Sequence, residues 1–199
     1  MNRHLLVTAL IATAAFGSSF AASAQTNAAN TTQRDVKQEQ RIEAGLQNGT
    51  ITTRENAQLQ RDEAHVDRLQ ARDLKDGSLS PAEKAQLTAA QNKASRDITR
   101  AKNNGINGNP LSASSQRAQA DTQRNIDQQQ RIDNGVRSGS LSNREAANLE
   151  RGQSHVDRRE ARAGANGNVS AGEQRRIARA DNRQSARIYN KKHNAQVKG

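Results

Sequence analysis

Residues 48–55 read NGTITTRE, and the same pattern returns as DGSLSPAE (76–83), SGSLSNRE (138–145) and NGNVSAGE (166–173). Each copy has a Gly, an apolar residue two positions on, then Ser or Thr, then Glu three residues later. The second half of the pattern is a capping box. The hydroxyl accepts an otherwise unpaired amide of the first helical turn, and the Glu carboxylate reaches back to the cap's own N–H. Thr52, Ser80, Ser142 and Ser170 are therefore the expected N-caps, with Thr53 a competitor for Thr52. Pro81 follows Ser80 at the first helical position, where its missing N–H costs nothing. The Gly ahead of each cap suits a left-handed residue closing the preceding helix. Four such turns predict an all-α chain of helices joined by tight connections.

An offset of 90 residues aligns TQRDVKQEQRIEAGLQNGTITTRENAQLQRDEAHVDRLQARD, from 32, with TQRNIDQQQRIDNGVRSGSLSNREAANLERGQSHVDRREARA, from 122, without a gap. This is an internal duplication. It predicts two helical repeat units, 31–104 and 120–194, each of three helices in a small bundle or an open pair of hairpins with EF-hand-like turns. Residues 105–119, rich in Asn, Gly, Ser and Pro, read as a flexible linker. Leu59 with Val66, and Leu149 with Val156, lie on one face of the middle helices. Leu87, Ala94, Ile98 and Ala101 keep helical spacing in the third. These stripes are narrow and Ala-rich, so marginal units that lean on each other, on a partner or on a second copy are expected.

The chain opens MNRHLLVTALIATAAFGSSFAASAQ, a basic start, an apolar run and a small-x-small site, which reads as a secretory signal peptide (1–24) cut after Ala24. The run is too short and too interrupted to span a bilayer. Residues 25–30 and 195–199 read as disordered ends. Without cysteine there are no disulfides and no thiolate ligands. A periplasmic or secreted location follows. From residue 25 onward Tyr189 is the one aromatic, and the few branched apolar residues leave little to wall off a cleft. Together with serines placed in caps and linkers, that argues against an enzyme and calls for no cofactor.

The Gly, the apolar residue and the final Glu also match the second half of an EF-hand loop. Aligned on Gly77, the first and third ligand positions hold Arg72 and Leu74, and the other three turns likewise lack carboxylates there. A capped turn explains the pattern without metal. Weak divalent-metal binding through Asp76 and Glu83, with Glu55, Glu145 and Glu173 at the other turns, stands as an alternative. The signal peptide, the repeated turns and a Lys192-His193-Asn194 end resemble small exported proteins of proteobacteria, a likeness that brings no activity with it. A fainter resemblance, through LSPAE and its relatives, is to the periplasmic Spy and CpxP chaperones. It implies a chaperone or stress role as a second alternative.

Arginine carries the strongest periodic signal. Arg54, Arg61, His65, Arg68 and Arg72 recur at spacings of 7, 4, 3 and 4 on one face of a helix, opposite Leu59, and Arg144, Arg151, His155, Arg158 and Arg162 repeat them. The last helix adds Arg176, Arg179, Arg183 and Arg187. Guanidinium rows pair phosphate and carboxylate groups bidentately. The expected partners are anionic polymers or acidic proteins: envelope polyanions above all, or nucleic acid bound weakly and without sequence preference, since no aromatic platform is present. Lys and Arg number 13 against 11 Asp and Glu in the first unit and 15 against 9 in the second, so anion contact is expected to concentrate C-terminally. His65 and His155 have arginines at the positions three and four residues away where helical co-ligands would stand. The sequence assigns no role to them or to His193.

Overall fold

The structure is a computed structural model and describes residues 18–194. The chain forms six helices: α1 (Ser18–Asn48), α2 (Thr53–Asp73), α3 (Pro81–Lys102), α4 (Ala113–Arg137), α5 (Asn143–Ala163) and α6 (Ala171–Lys192). Single 3-10 turns at Leu74–Asp76 and Gly164–Asn166 extend α2 and α5. No strand occurs among the described residues. The expected signal peptide lies mostly outside them and the tail 195–199 wholly so. None of the described helices is long and apolar enough to cross a membrane.

The four turns form as their sequences dictate. Thr52, Ser80, Ser142 and Ser170 each make the reciprocal capping box with the Glu three residues on. At Thr52, the hydroxyl accepts from the Glu55 N–H at 3.2 Å, and the Thr52 N–H donates to the Glu55 carboxylate at 2.9 Å. Gly49, Gly77, Gly139 and Gly167 all have φ between +69° and +98°, the left-handed region in which a side chain is strained. After α1 and α4 the turn's apolar residue folds back onto a glycine of the helix. A Cβ on Gly45 would stand 2.4 Å from Ile51, and one on Gly135 2.5 Å from Leu141.

The two repeats do not close separate cores. The most extensive helix contacts run between them, α2 on α5 and α1 on α4, while α3 covers α2 and α1, and α6 covers α5 and α4. Both central pairs are antiparallel. The start of α2 meets the end of α5, where Arg54 donates to the Asn166 carbonyl at 3.3 Å. The start of α5 meets the end of α2, where Asn143 donates to the Gly77 carbonyl at 2.8 Å. Likewise Arg137 reaches the Ala29 carbonyl and Gln119 the Leu46 carbonyl, both at 3.4 Å. Ala57, Ala64 and Ala71, seven apart, are buried on α2, as are Ala147, Ser154 and Ala161 on α5. Small side chains let these backbones approach, and Ser154 donates to the Ala64 carbonyl at 3.0 Å. Residues 90 apart thus sit around a pseudo-two-fold axis.

The apolar clusters confirm the exchange. Ile42, Leu46, Ile51, Leu59 and Ile98 of the first repeat enclose Ala118 of the second. Ile132, Val136, Leu141, Leu149 and Ile188 enclose Ala28 and Ala29 of the first. Residues 25–30 are therefore helical and in part buried, in place of the disordered start that composition suggests. The segment before α4 is pinned as well: the Gly108 N–H donates to the Gly49 carbonyl at 2.8 Å, and α4 begins at Ala113, inside the span read as linker. The reason is the one the narrow stripes give. Neither repeat has enough apolar surface to close alone, and each completes the other.

Candidate functional site

Charge is sorted radially. Of the 20 Asp and Glu residues, 13 are buried, whereas no Lys or Arg among the described residues is. The interior between the two antiparallel pairs is a layer of carboxyl and carboxamide groups. Gln60 donates to Glu39 at 3.1 Å on one side, and on the other Gln129 donates to Glu150 at 3.1 Å. Gln70 donates to Asp35, and Asn125 donates to Glu160 at 3.0 Å. In both layers the acid and the amide have changed places between repeats, so each layer keeps one of each. Asp67 and Asp157, the aspartates of the two HVDR motifs, face each other near the axis within hydrogen-bonding reach.

Burial favours the protonated form of ten of these carboxyls. Among the described residues, the buried side-chain atoms without a partner are all oxygens, including both of Glu63, one of Asp67 and one of Asp157. Ionised carboxylates only accept, so a layer short of donors is satisfied when carboxyls become protonated and donate. Desolvation acts in the same direction. Burial raises Asp35 to about 7 against hydrogen bonds from Gln70 and Gln91. Burial likewise raises Asp157 and Asp121 to about 7 and Asp181 to about 6. Glu39, Glu63, Asp67, Glu150 and Glu160 stand well above their ordinary values, through burial and then through neighbouring carboxylates. Among the described residues no group of three or more His, Asp or Glu could hold a metal ion.

The arginine rows lie on the outside. Arg54, Arg61, Arg68 and Arg72 are exposed along α2, and Arg144, Arg151 and Arg162 along α5, with Arg158 partly buried. His65 and His155 stand within the rows, His65 Nδ1 3.4 Å from Arg68 and His155 Nδ1 2.7 Å from Arg158. Partial burial, then the neighbouring guanidinium, lowers the pKa of each. A neutral imidazole that accepts from arginine joins the donor row without adding charge. His193 stacks on Tyr189 at the end of α6. At the turns, the carboxylates of Glu55, Glu83, Glu145 and Glu173 are held by their capping boxes, and Asp76 accepts from the Ser78 N–H at 3.0 Å. The four glutamates weighed for metal are thus engaged in caps, and Asp76 in the turn ahead of one.

Arg176, Arg183 and Arg187 do not extend the α5 row; they face it across a trough between α5 and α6. Arg179 is exposed on the same helix. Arg159 stands where the two halves of the trough meet. The sequence reading passed over it because Leu69, its counterpart, belongs to the apolar stripe of the first repeat. Among the described residues, the large apolar side chains that stand exposed are Ile106, Leu111 and Tyr189.

No protein family, curated protein or solved structure matches the chain. The functional reading rests on its own residues.

Proposed function

We propose that the chain is a non-enzymatic, exported binding protein whose cationic helix faces hold anionic polymers of the cell envelope or acidic partners. The observation that carries this reading is the radial sorting of charge. With ten carboxyls inside whose protonated form burial favours, and no buried Lys or Arg among the described residues, the surface is more cationic than the formal charge of +11 implies. Such a surface attracts polyanions over about a Debye length and exchanges their counterions for guanidinium.

Two copies of one row, on the central antiparallel helices, offer long anions a repeated contact without a pocket. Replacing Arg61, Arg68, Arg151 and Arg158 with Gln is expected to weaken heparin binding about tenfold at low salt and to flatten its salt dependence. Unchanged affinity and slope would sink this reading.

A further inference from the structure

We propose that the trough between α5 and α6 is a dedicated site for an extended anion carrying several phosphate groups, free in solution. The inference rests on the anion-binding reading and narrows it to one place and one chemistry. His155, Arg159 and Arg162 of α5 line one wall, and Arg176, Arg183 and Arg187 of α6 the other. The carboxylate at its border, Glu173, accepts from the Ser170 N–H at 2.9 Å and hydroxyl at 2.7 Å. Among the described residues no carboxylate forms an ion pair with any of these five arginines. Guanidinium groups stay charged at every relevant pH, so the walls repel each other until an anion lies between them.

The first repeat shows what a closed version looks like. Ninety residues back, Asp62 stands for Gly152, Lys93 for Arg183 and Asp97 for Arg187. There Lys93 Nζ lies 2.6 Å from Asp62 and 2.7 Å from Asp97, and Arg100 lies 3.0 Å from Asp97. The charges are neutralised within the protein. In the second repeat that remedy is sterically shut: a Cβ on Gly152 would stand 2.0 Å from Gln184 Oε1. Gln184 is buried and tied to the Leu149 carbonyl at 2.8 Å, so a side chain at 152 would have to displace it to reach Arg183. With Gly at 152, the neutralising group comes from outside.

Its chemistry follows from the walls. Forked donors on both sides suit tetrahedral oxyanions, which several guanidinium groups can grip at once. Arg176 and Arg187 are 11 residues apart, so the contacts extend about 16 Å along α6 at 1.5 Å per residue, longer than a single phosphate. No aromatic side chain lines the trough, so nothing stacks a base.

The test is calorimetric titration of the full chain with inorganic polyphosphate. Poly-glutamate, orthophosphate and anionic phospholipid vesicles are the comparison probes. Two variants carry the same charge change: Arg183→Gln/Arg187→Gln in the trough and Arg61→Gln/Arg68→Gln on α2. At about tenfold per lost guanidinium–phosphate contact, the trough variant is expected to lose about 100-fold for polyphosphate, and the α2 variant less than about threefold. Both pairs are exposed, and an unchanged helical spectrum verifies each fold. The combined change Gly152→Asp/Arg183→Lys/Gln184→Ala/Arg187→Asp, which copies the first repeat, is expected to lower polyphosphate affinity at least as far as the trough variant does. Equal losses in the two variants would overturn the dedicated site and leave the general reading standing. Poly-glutamate held as tightly as polyphosphate through the trough would overturn the phosphate assignment, and so would binding to vesicles without binding to free polyphosphate. Binding of neither polyphosphate nor any other polyanion would end both proposals.

Discussion

The trough between α2 and α3 and the trough between α5 and α6 come from one repeated sequence, yet one is a closed ion-pair network and the other a row of arginines with no ion-pair contact among the described residues. Lys93 in the first is clamped by Asp62 and Asp97, whereas Arg183 in the second stands beside Arg187 and across from Arg159. The interior shows the reverse behaviour. Where Glu39 meets Gln60, Gln129 meets Glu150, and the exchange leaves the layer chemically the same. The surface was free to change its sign through a few uncompensated substitutions. At these positions the buried acid and amide changed together, because an unmatched buried polar group costs about 1–3 kcal/mol.

The largest expected effect tests whether the two interiors are equivalent. A carboxyl whose pKa is raised by folding contributes stability that is complete below its unfolded value and is lost as pH rises through its folded value. Asp35, moved from 3.8 to about 7, alone accounts for about 4 kcal/mol of stability lost between about pH 4 and pH 7. The protein should therefore be most stable in mild acid. Urea midpoints across that range should fall with rising pH, and less steeply for Asp35→Asn, which installs the residue found at its counterpart Asn125. A midpoint that rises with pH would mean that the buried acids are ionised and paired.

Next in size is the asymmetry at the trough floors. Gly152→Asp drives a side chain into Gln184 and should cost about 3 kcal/mol. The mirror change Asp62→Gly should cost about 1–2 kcal/mol, mostly helix propensity. Equal costs by chemical denaturation would show that the two floors are alike.

The caps should not distinguish the repeats. Ser80→Ala and Ser170→Ala are each expected to lose about 1 kcal/mol in thermal or urea unfolding, and a large difference would break the pseudo-symmetry at the turns. The smallest effect carries a sign. Lys93→Gln should destabilise by less than about 1 kcal/mol, because its ion pairs are largely exposed. Arg183→Gln should be neutral or slightly stabilising at low salt, since it relieves repulsion, with the difference shrinking at high salt.

Much of this was legible in the sequence. Caps at Thr52, Ser80, Ser142 and Ser170 depend on contacts three residues away, and local pattern is enough to place them. The exposed rows from Arg54 to Arg72 and from Arg144 to Arg162 follow from helical period alone. The pairing of the repeats did not follow, because hydrophobic periodicity marks as core only what is apolar. Gln60, Glu63, Asp67, Gln70 and Leu74, at spacings of 3, 4, 3 and 4, form one buried face of α2 and its 3-10 extension, yet four of the five are polar and read as solvated. What the duplication does show is which of these polar residues vary together: acid aligns with amide at 39 and 129, at 60 and 150, and at 70 and 160. Exchanges of that kind mark contacts kept within each repeat, Glu39 with Gln60 and Gln129 with Glu150, and carry no mark of the pairing between repeats. Arg159 was hidden for a related reason, since its counterpart Leu69 belongs to the apolar cluster with Val66 and Leu87.

The pseudo-two-fold axis also bears on how such a molecule could arise. One repeat meeting an identical chain across a true two-fold would build this same bundle as a homodimer, with each half filling the other's core. In that arrangement every substitution appears twice, and a carboxylate lost from one trough is lost from both. Joining the halves through the short segment ahead of α4 removes the constraint. One side can keep its ion pairs and secure the scaffold while the other gives them up and leaves its arginines turned to solvent.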